Sequence, residues 1–158
     1  IIHSSAHSFY FIKYKILSNC ISRPVIMRLL THNFLQSNAK GTENGYPLQI
    51  EVERLEVEDP PSEVNRELLL RLLPKLNYNA LLKAAEQITP HESSLPPLPP
   101  QLPSIEKSDE WDDALVTNLH KILFDVHLID GTLICPGTGR KFPVKDSIPN
   151  MLLHADEI

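Results

Sequence analysis

The apolar and polar positions of this chain fall into three differently patterned stretches. Arg28-Leu29-Leu30 is a short strand candidate, and Thr31 to Asn44 is polar and reads as a loop. From Leu48 the sequence Leu48-Gln49-Ile50-Glu51-Val52 alternates apolar with polar, a period of two that predicts a half-buried strand. Asp59-Pro60-Pro61-Ser62 breaks the pattern. After it Val64, Leu68, Leu69, Leu72 and Leu73 recur at helical spacing, with Ser62 or Asn65 as the cap and Pro74 as the stop. A second helix follows Asn77 and carries Tyr78, Leu81, Leu82, Ala84 and Ala85. Thr89 to Pro103 contains six prolines and predicts an extended surface connector. Ser108-Asp109 is expected to cap a third helix, with Glu110, Asp112 and Asp113 at the positive end of its dipole. Its apolar stripe is Trp111, Leu115, Leu119, Ile122 and Leu123, a core pattern rather than a cofactor site.

The C-terminal stretch returns to a period of two. Val126–Ile129 and Thr132–Cys135 flank Asp130-Gly131, and Asp-Gly between apolar runs is a type I′ hairpin signal. Pro136-Gly137-Thr138-Gly139 makes a second turn, and Arg140–Val144 a third strand. Pro143 cannot donate to a ladder, so this strand belongs at a sheet edge. An apolar tail, Ile148–Leu153, follows. The order β, helices, β predicts an α+β fold in which 27–52 and 127–158 form one small antiparallel β domain and 53–126 is a helical insertion.

Residues 1–26 are treated apart. They begin with Ile, contain Lys13, Lys15 and Arg23 and no acid, and are followed directly by Met27. They read as an upstream leader, with a transit peptide as the alternative. The whole chain of 158 residues has a net charge of -5, and since residues 1–26 contribute +3, residues 27–158 carry -8. So acidic a body repels phosphate and argues against stand-alone binding to nucleic acid. Of the two cysteines only Cys135 lies in the body, which excludes an internal disulfide or a four-cysteine zinc site there. No apolar run reaches the ~20 residues a spanning helix needs.

Catalytic patterns are missing. None of the five glycines builds a G-x-G-x-x-G loop, and no nucleophile elbow or zinc-protease helix occurs. The carboxylates Asp109, Glu110, Asp112 and Asp113 are explained by the helix start. His32, His120 and His127 have no partner at ligand spacing and receive no catalytic role.

Two stretches are specific. One is Met27-Arg28-Leu29-Leu30-Thr31-His32-Asn33-Phe34-Leu35. The other runs from Gly131-Thr132-Leu133-Ile134-Cys135-Pro136 through Gly139-Arg140-Lys141-Phe142-Pro143-Val144 to Ile148-Pro149-Asn150-Met151-Leu152-Leu153. Together they resemble the tRNA methyltransferase 112 homologue family over essentially all of 27–158. The resemblance implies a zinc-ribbon-like β domain plus a helical domain. It also implies a non-catalytic activator that forms heterodimers with class I S-adenosylmethionine-dependent methyltransferases acting on tRNA, ribosomal RNA and a translation release factor, in cytoplasm and nucleus. S-adenosylmethionine would be bound by the partner, and RNA touched only through the complex, with no membrane involved. Metal-binding members of the family place four cysteines where this chain has Ser37, Thr42, Cys135 and Thr138, so no zinc is expected here.

The expected partner surface is Asn33, Phe34 and Leu35, the strand residues Arg140, Lys141, Phe142, Pro143 and Val144, and the tail residues Ile148, Pro149, Asn150, Met151 and Leu152. The strand would present an open edge to a partner sheet, with Phe142 and Phe34 as anchors. Two rivals compete with this reading. A nucleic-acid-binding module would use the basic cluster Arg140, Lys141 and Lys145. An enzyme of unknown type has no residue pattern to support it.

Overall fold

The computed structural model describes residues 27–104, 107 and 111–157. The leader, and the Ser108-Asp109 cap with Glu110, lie outside the described residues. Along the described chain run strand β1 (Met27–Arg28), helix α1 (Leu29–Phe34), strand β2 (Gln49–Val57), helices α2 (Arg66–Leu72), α3 (Tyr78–Ile88) and α4 (Asp113–His120), and strands β3 (Val126–Ile134), β4 (Lys141–Lys145) and β5 (Ile148–Pro149). The strands make one antiparallel five-stranded sheet.

β3 is the centre of that sheet. β2 pairs with it from Val126 to Ile134, whereas β1 takes Leu128 and His127 and β4 takes Gly131 to Ile134. A strand has two edges, so β1 and β4 share the edge opposite β2. Between Val52 and Leu55 the β2 register shifts, a bulge that curls the sheet. The strand expected to stop at Val52 therefore continues to Val57.

Asp130-Gly131 is not a hairpin turn. It lies inside the nine-residue β3, at the bulge. Gly131 is needed for closeness rather than for positive φ, because a Cβ there would strike the Glu51 carbonyl oxygen. The Asp130 carboxylate pairs with Arg54 Nε at 3.0 Å and accepts from the Asp146 N–H at 3.1 Å. The type I′ geometry falls instead at Asp146-Ser147, with φ of 48° and 65°, where β4 turns into β5.

The segment read as a strand and then a polar loop is also different. Only Met27–Arg28 is extended, and Leu29–Phe34 is helical. His32 and Asn33 are buried there and Thr31 is half-buried; one ring nitrogen of His32 and the side chain of Asn33 find partners, while His32 Nδ1 has none. His32 Nε2 lies 2.9 Å from the Leu48 carbonyl oxygen. Asn33 Nδ2 donates to Asn77 O, and Asn33 Oδ1 accepts from Asn77 N, both at 2.9 Å. The Tyr46 hydroxyl donates to Asn33 O at 2.8 Å.

The other helices follow their caps. Asn65 rather than Ser62 caps α2, accepting from Leu68 N, and Asn77 caps α3, accepting from Ala80 N. Pro74 stops α2 in a 3₁₀ turn. α4 begins later than expected, capped by Asp112, and leads through a π-helical turn, Lys121–Asp125, into β3. Leu69, Leu81, Ile88, Leu119, Ile122, Leu123, Leu133 and Phe142 join sheet and helices in one core cluster. Leu68 faces solvent, so the α2 stripe is narrower than its spacing suggests.

Phe142→Ala is expected to cost about 3–5 kcal/mol in chemical denaturation, because its ring is 1% exposed in that core. Pro143→Ala, on the solvent face of the same strand, is expected to cost under about 1 kcal/mol.

Candidate partner-docking surface

Two loops meet at one end of β3. The first, 37–45, closes on a hydrogen bond from Ser37 N to Gly45 O at 2.9 Å. The second, 135–140, closes on Cys135 N to Arg140 O and Gly139 N to Cys135 O, both 2.9 Å. They are pressed together closely enough that a Cβ on Gly137 would lie 2.7 Å from the Asn44 carbonyl oxygen. Gly139 takes φ of 71°, the left-handed turn that favours glycine.

Ser37, Thr42, Cys135 and Thr138 converge inside this pair of knuckles. Cys135 is buried, with Thr42 Oγ1 at 3.8 Å from its sulfur. Burial pushes the thiol pKa up, but hydrogen bonds from the Ser37 and Thr138 hydroxyls and from the Thr138 and Gly137 N–H groups outweigh it and bring it to about 6. The donor set does not fit tetrahedral zinc: one sulfur and three hydroxyls replace the four thiolate, imidazole or carboxylate ligands it takes. Among the described residues no group of three or more His, Cys, Asp or Glu side chains is placed to hold a metal ion. The knuckles close instead on backbone bonds and on a sulfur surrounded by donors.

The expected partner residues divide by strand parity. On β4, Phe142 and Val144 point into the core at 1% exposure each, whereas Lys141, Pro143 and Lys145 face solvent. Phe142 and Val144 are therefore core residues, and the expectation of Phe142 as an interface anchor is corrected. Asn33 is likewise buried, engaged with Asn77. Phe34, at the end of α1, is 53% exposed, and Leu35 is half-buried. In the tail Ile148 is 59% and Leu152 78% exposed, Asn150 is exposed, and Pro149 and Met151 are half-buried.

The β4 edge is less open than its proline suggests. Pro143 O accepts from Asn150 N at 2.9 Å, and β5 pairs with Val144 and Lys145. Because the N and O of one strand residue face the same way, the missing Pro143 donor also points away from β3, as an edge proline requires. The tail therefore covers part of the edge and carries its own apolar residues outward.

The basic cluster is largely neutralised. Arg140 grips Glu157 with Nε at 2.6 Å and Nη2 at 3.0 Å, lies over the Phe142 ring, and so ties the end of the described chain to β4. Lys141 Nζ is 3.3 Å from Glu51. The part played by Glu157 was not legible in the sequence, which offers two acids near its end, Asp156 and Glu157, and no spacing rule to pair either.

A curled antiparallel sheet built from both ends of the described chain, closed by two apposed knuckles and packed on helices, defines a small zinc-ribbon-like α+β protein. The family model described as Trm112p-like protein matches residues 28–147, and the chain belongs to that family. It is 40% identical to multifunctional methyltransferase subunit TRM112 homolog A of Arabidopsis thaliana, covering 84% of this chain and all of the relative. It is 38% identical to the TRM112-like protein of Bos taurus, over 83% of this chain and 98% of that one. The Saccharomyces cerevisiae subunit TRM112 is 31% identical over 80% of this chain and 96% of its own length. Among solved structures, a chain of the E. cuniculi Mtq2-Trm112 complex, described as responsible for methylation of the eRF1 translation termination factor, superposes with TM-score 0.50 at 17% identity. That match covers 80% of this chain and 95% of the other, and it establishes the shared fold.

The Cys135 thiol gives a pH signature. Its folded pKa of about 6 lies below the ordinary value of 9.0, so folding releases a proton between them and stability rises with pH across that window. The contribution is complete above about 9 and lost as pH falls through about 6. Cys135→Ser is expected to narrow its gap in melting temperature from the native chain as pH is lowered from 9 to 6.

Proposed function

We propose that this chain is a non-catalytic subunit that binds, stabilises and activates S-adenosylmethionine-dependent methyltransferases. The observation that carries the reading is the apolar tail on the β4 edge, with Ile148 and Leu152 exposed and Pro149 half-buried, together with exposed Phe34 and half-buried Leu35 at the end of α1. A folded domain gains nothing by leaving such side chains in water, and exposed apolar side chains held in place in this way suit a contact site. Family membership and the names of the relatives point to the same class of partner.

Binding only the folded partner stabilises it by mass action. If the contact also orders the partner's cofactor loops, cofactor affinity rises with no catalytic group supplied from this chain. A stable heterodimer buries roughly 1,600 Å² in total, which needs the tail and the α1 end together with the outward face of β4, Lys141 and Pro143. Asn150 and Met151, between the apolar anchors, complete the tail contact. Arg140 contributes through Glu157, by holding the C-terminal segment in place.

We further propose that the partner's substrates include tRNA, ribosomal RNA and a release factor, that the complex works in cytoplasm and nucleus, and that the knuckles need no zinc. RNA binding by the isolated chain is disfavoured, because Arg140 and Lys141 are already paired with acids and the body is negative.

Co-expression of the full chain with a release-factor glutamine methyltransferase is expected to yield a one-to-one complex whose activity needs both chains. Ile148→Asp with Leu152→Asp should abolish the complex while the free chain keeps its melting temperature. A methyltransferase equally soluble and active alone contradicts the reading. Treating the full chain with a strong zinc chelator is expected to leave its melting midpoint unchanged; a fall reversed by added zinc would refute the metal-free knuckle.

A further inference from the structure

On the helical side of the molecule is an open cleft of about 360 Å³, lined by the end of β2, the loop that follows it, Ser94, α4 and the π-helical turn. Val57, Pro61 and Val64 supply an apolar wall. Glu58, Asp59 and Asp125 supply three carboxylates, against one ammonium, Lys121.

The polar groups in this cleft are only partly used. Asp125 is buried, and its Oδ1 accepts from both the N–H and the hydroxyl of Ser62, while Oδ2 has no hydrogen-bond donor among the described residues. Glu58 Oε2 is 3.5 Å from His127 Nε2, leaving Oε1 free. Lys121 is held at the rim, donating to Ser94 O at 3.1 Å. His120 is 4% exposed and lines the cleft, stacked on Phe124 at 4.8 Å, and makes no side-chain hydrogen bond. Burial pushes the His120 pKa down, Asp125 opposes that, and Arg28 adds to it, which favours the neutral ring with one nitrogen an acceptor and the other an N–H. Arg28 offsets one carboxylate from outside the lining and leaves the lining itself acidic.

The buried, unbonded imidazole offers one acceptor and one N–H, and beside it the spare carboxylate oxygens of Glu58, Asp59 and Asp125 leave the cleft richer in acceptors than in donors. The apolar wall beside it suits a hydrocarbon stem. The geometry points to a binding site for a guanidinium or ammonium group on an aliphatic stem, held by Glu58, Asp59, Asp125 and His120 with the stem along Val57, Pro61 and Val64. The same chemistry is offered by a free polyamine-like compound and by an arginine or lysine side chain of a bound protein. This site lies apart from the tail and the α1 end and does not depend on the methyltransferase reading.

The test is amide NMR of the full chain titrated with agmatine, which carries a guanidinium and an amine on a four-carbon stem. Saturable shifts are expected at Ser62, Val64, Thr117 and Lys121, with a Kd on the order of 1 mM, as befits so small a ligand. Asp59→Asn, on an exposed carboxylate, should weaken binding several-fold, and Glu58→Gln with Asp59→Asn at least about tenfold. A capped Gly-Arg-Gly peptide binding more tightly than agmatine assigns the site to a protein side chain, and weaker peptide binding assigns it to a free amine; both support a cation site. Shifts that grow without saturating, equal shifts with pentanoate, or undiminished binding by the double variant would overturn it.

Discussion

β3 is hydrogen-bonded on both edges, and almost every other element takes its place from that pairing. β2 fills one edge, and β1 and β4 divide the other. Nine residues long with none exposed, β3 places Val126, Leu128 and Leu133 in the core. Its middle must admit β2 so closely that only glycine fits at 131, and the adjacent Asp130 carboxylate ties Arg54 of β2 to the turn at Asp146. One residue pair therefore fixes the bulge, the curl of the sheet and the start of the β5 tail.

From that frame the docking surface follows. β4 lies against β3 with alternate side chains inward, which commits Phe142 and Val144 to the core and leaves Lys141, Pro143 and Lys145 outward. The tail turns back at Asp146-Ser147 and bonds to the outer edge of β4. Arg140 and Glu157 hold the segment beyond it. Apolar residues are thereby kept in water at fixed positions, which reduces the ordering cost a partner would otherwise meet.

Much of this was legible in the sequence, because periodicity reports burial directly. The α+β class, the Asn65 and Asn77 caps, the stop at Pro74 and the turn at 136–139 follow from local rules that the structure obeys, whereas the strand of Pro143, expected at an edge, is flanked by β3 and by the short β5. Failures arose where a tertiary contact overrode a local signal. Asp-Gly reads as a turn, but the same glycine also answers a close backbone approach. Thr-His-Asn reads as a loop, yet it is helical, with His32 and Asn33 buried against Leu48 and Asn77. Lys-Phe-Pro-Val-Lys already carried the answer for Phe142, since a period of two with lysines outward puts phenylalanine and valine inward. The convergence of Ser37, Thr42, Cys135 and Thr138 was reached only through family resemblance, because residues so far apart in sequence have no local rule to join them.

The most direct measurement is amide hydrogen exchange on the full chain, free and bound to a methyltransferase partner. The account predicts new protection at Phe34 and Leu35 and over 148–152, with no change at the already protected Phe142 and Val144. Protection confined to α2 and α3, with the tail exchanging as in the free chain, would contradict it.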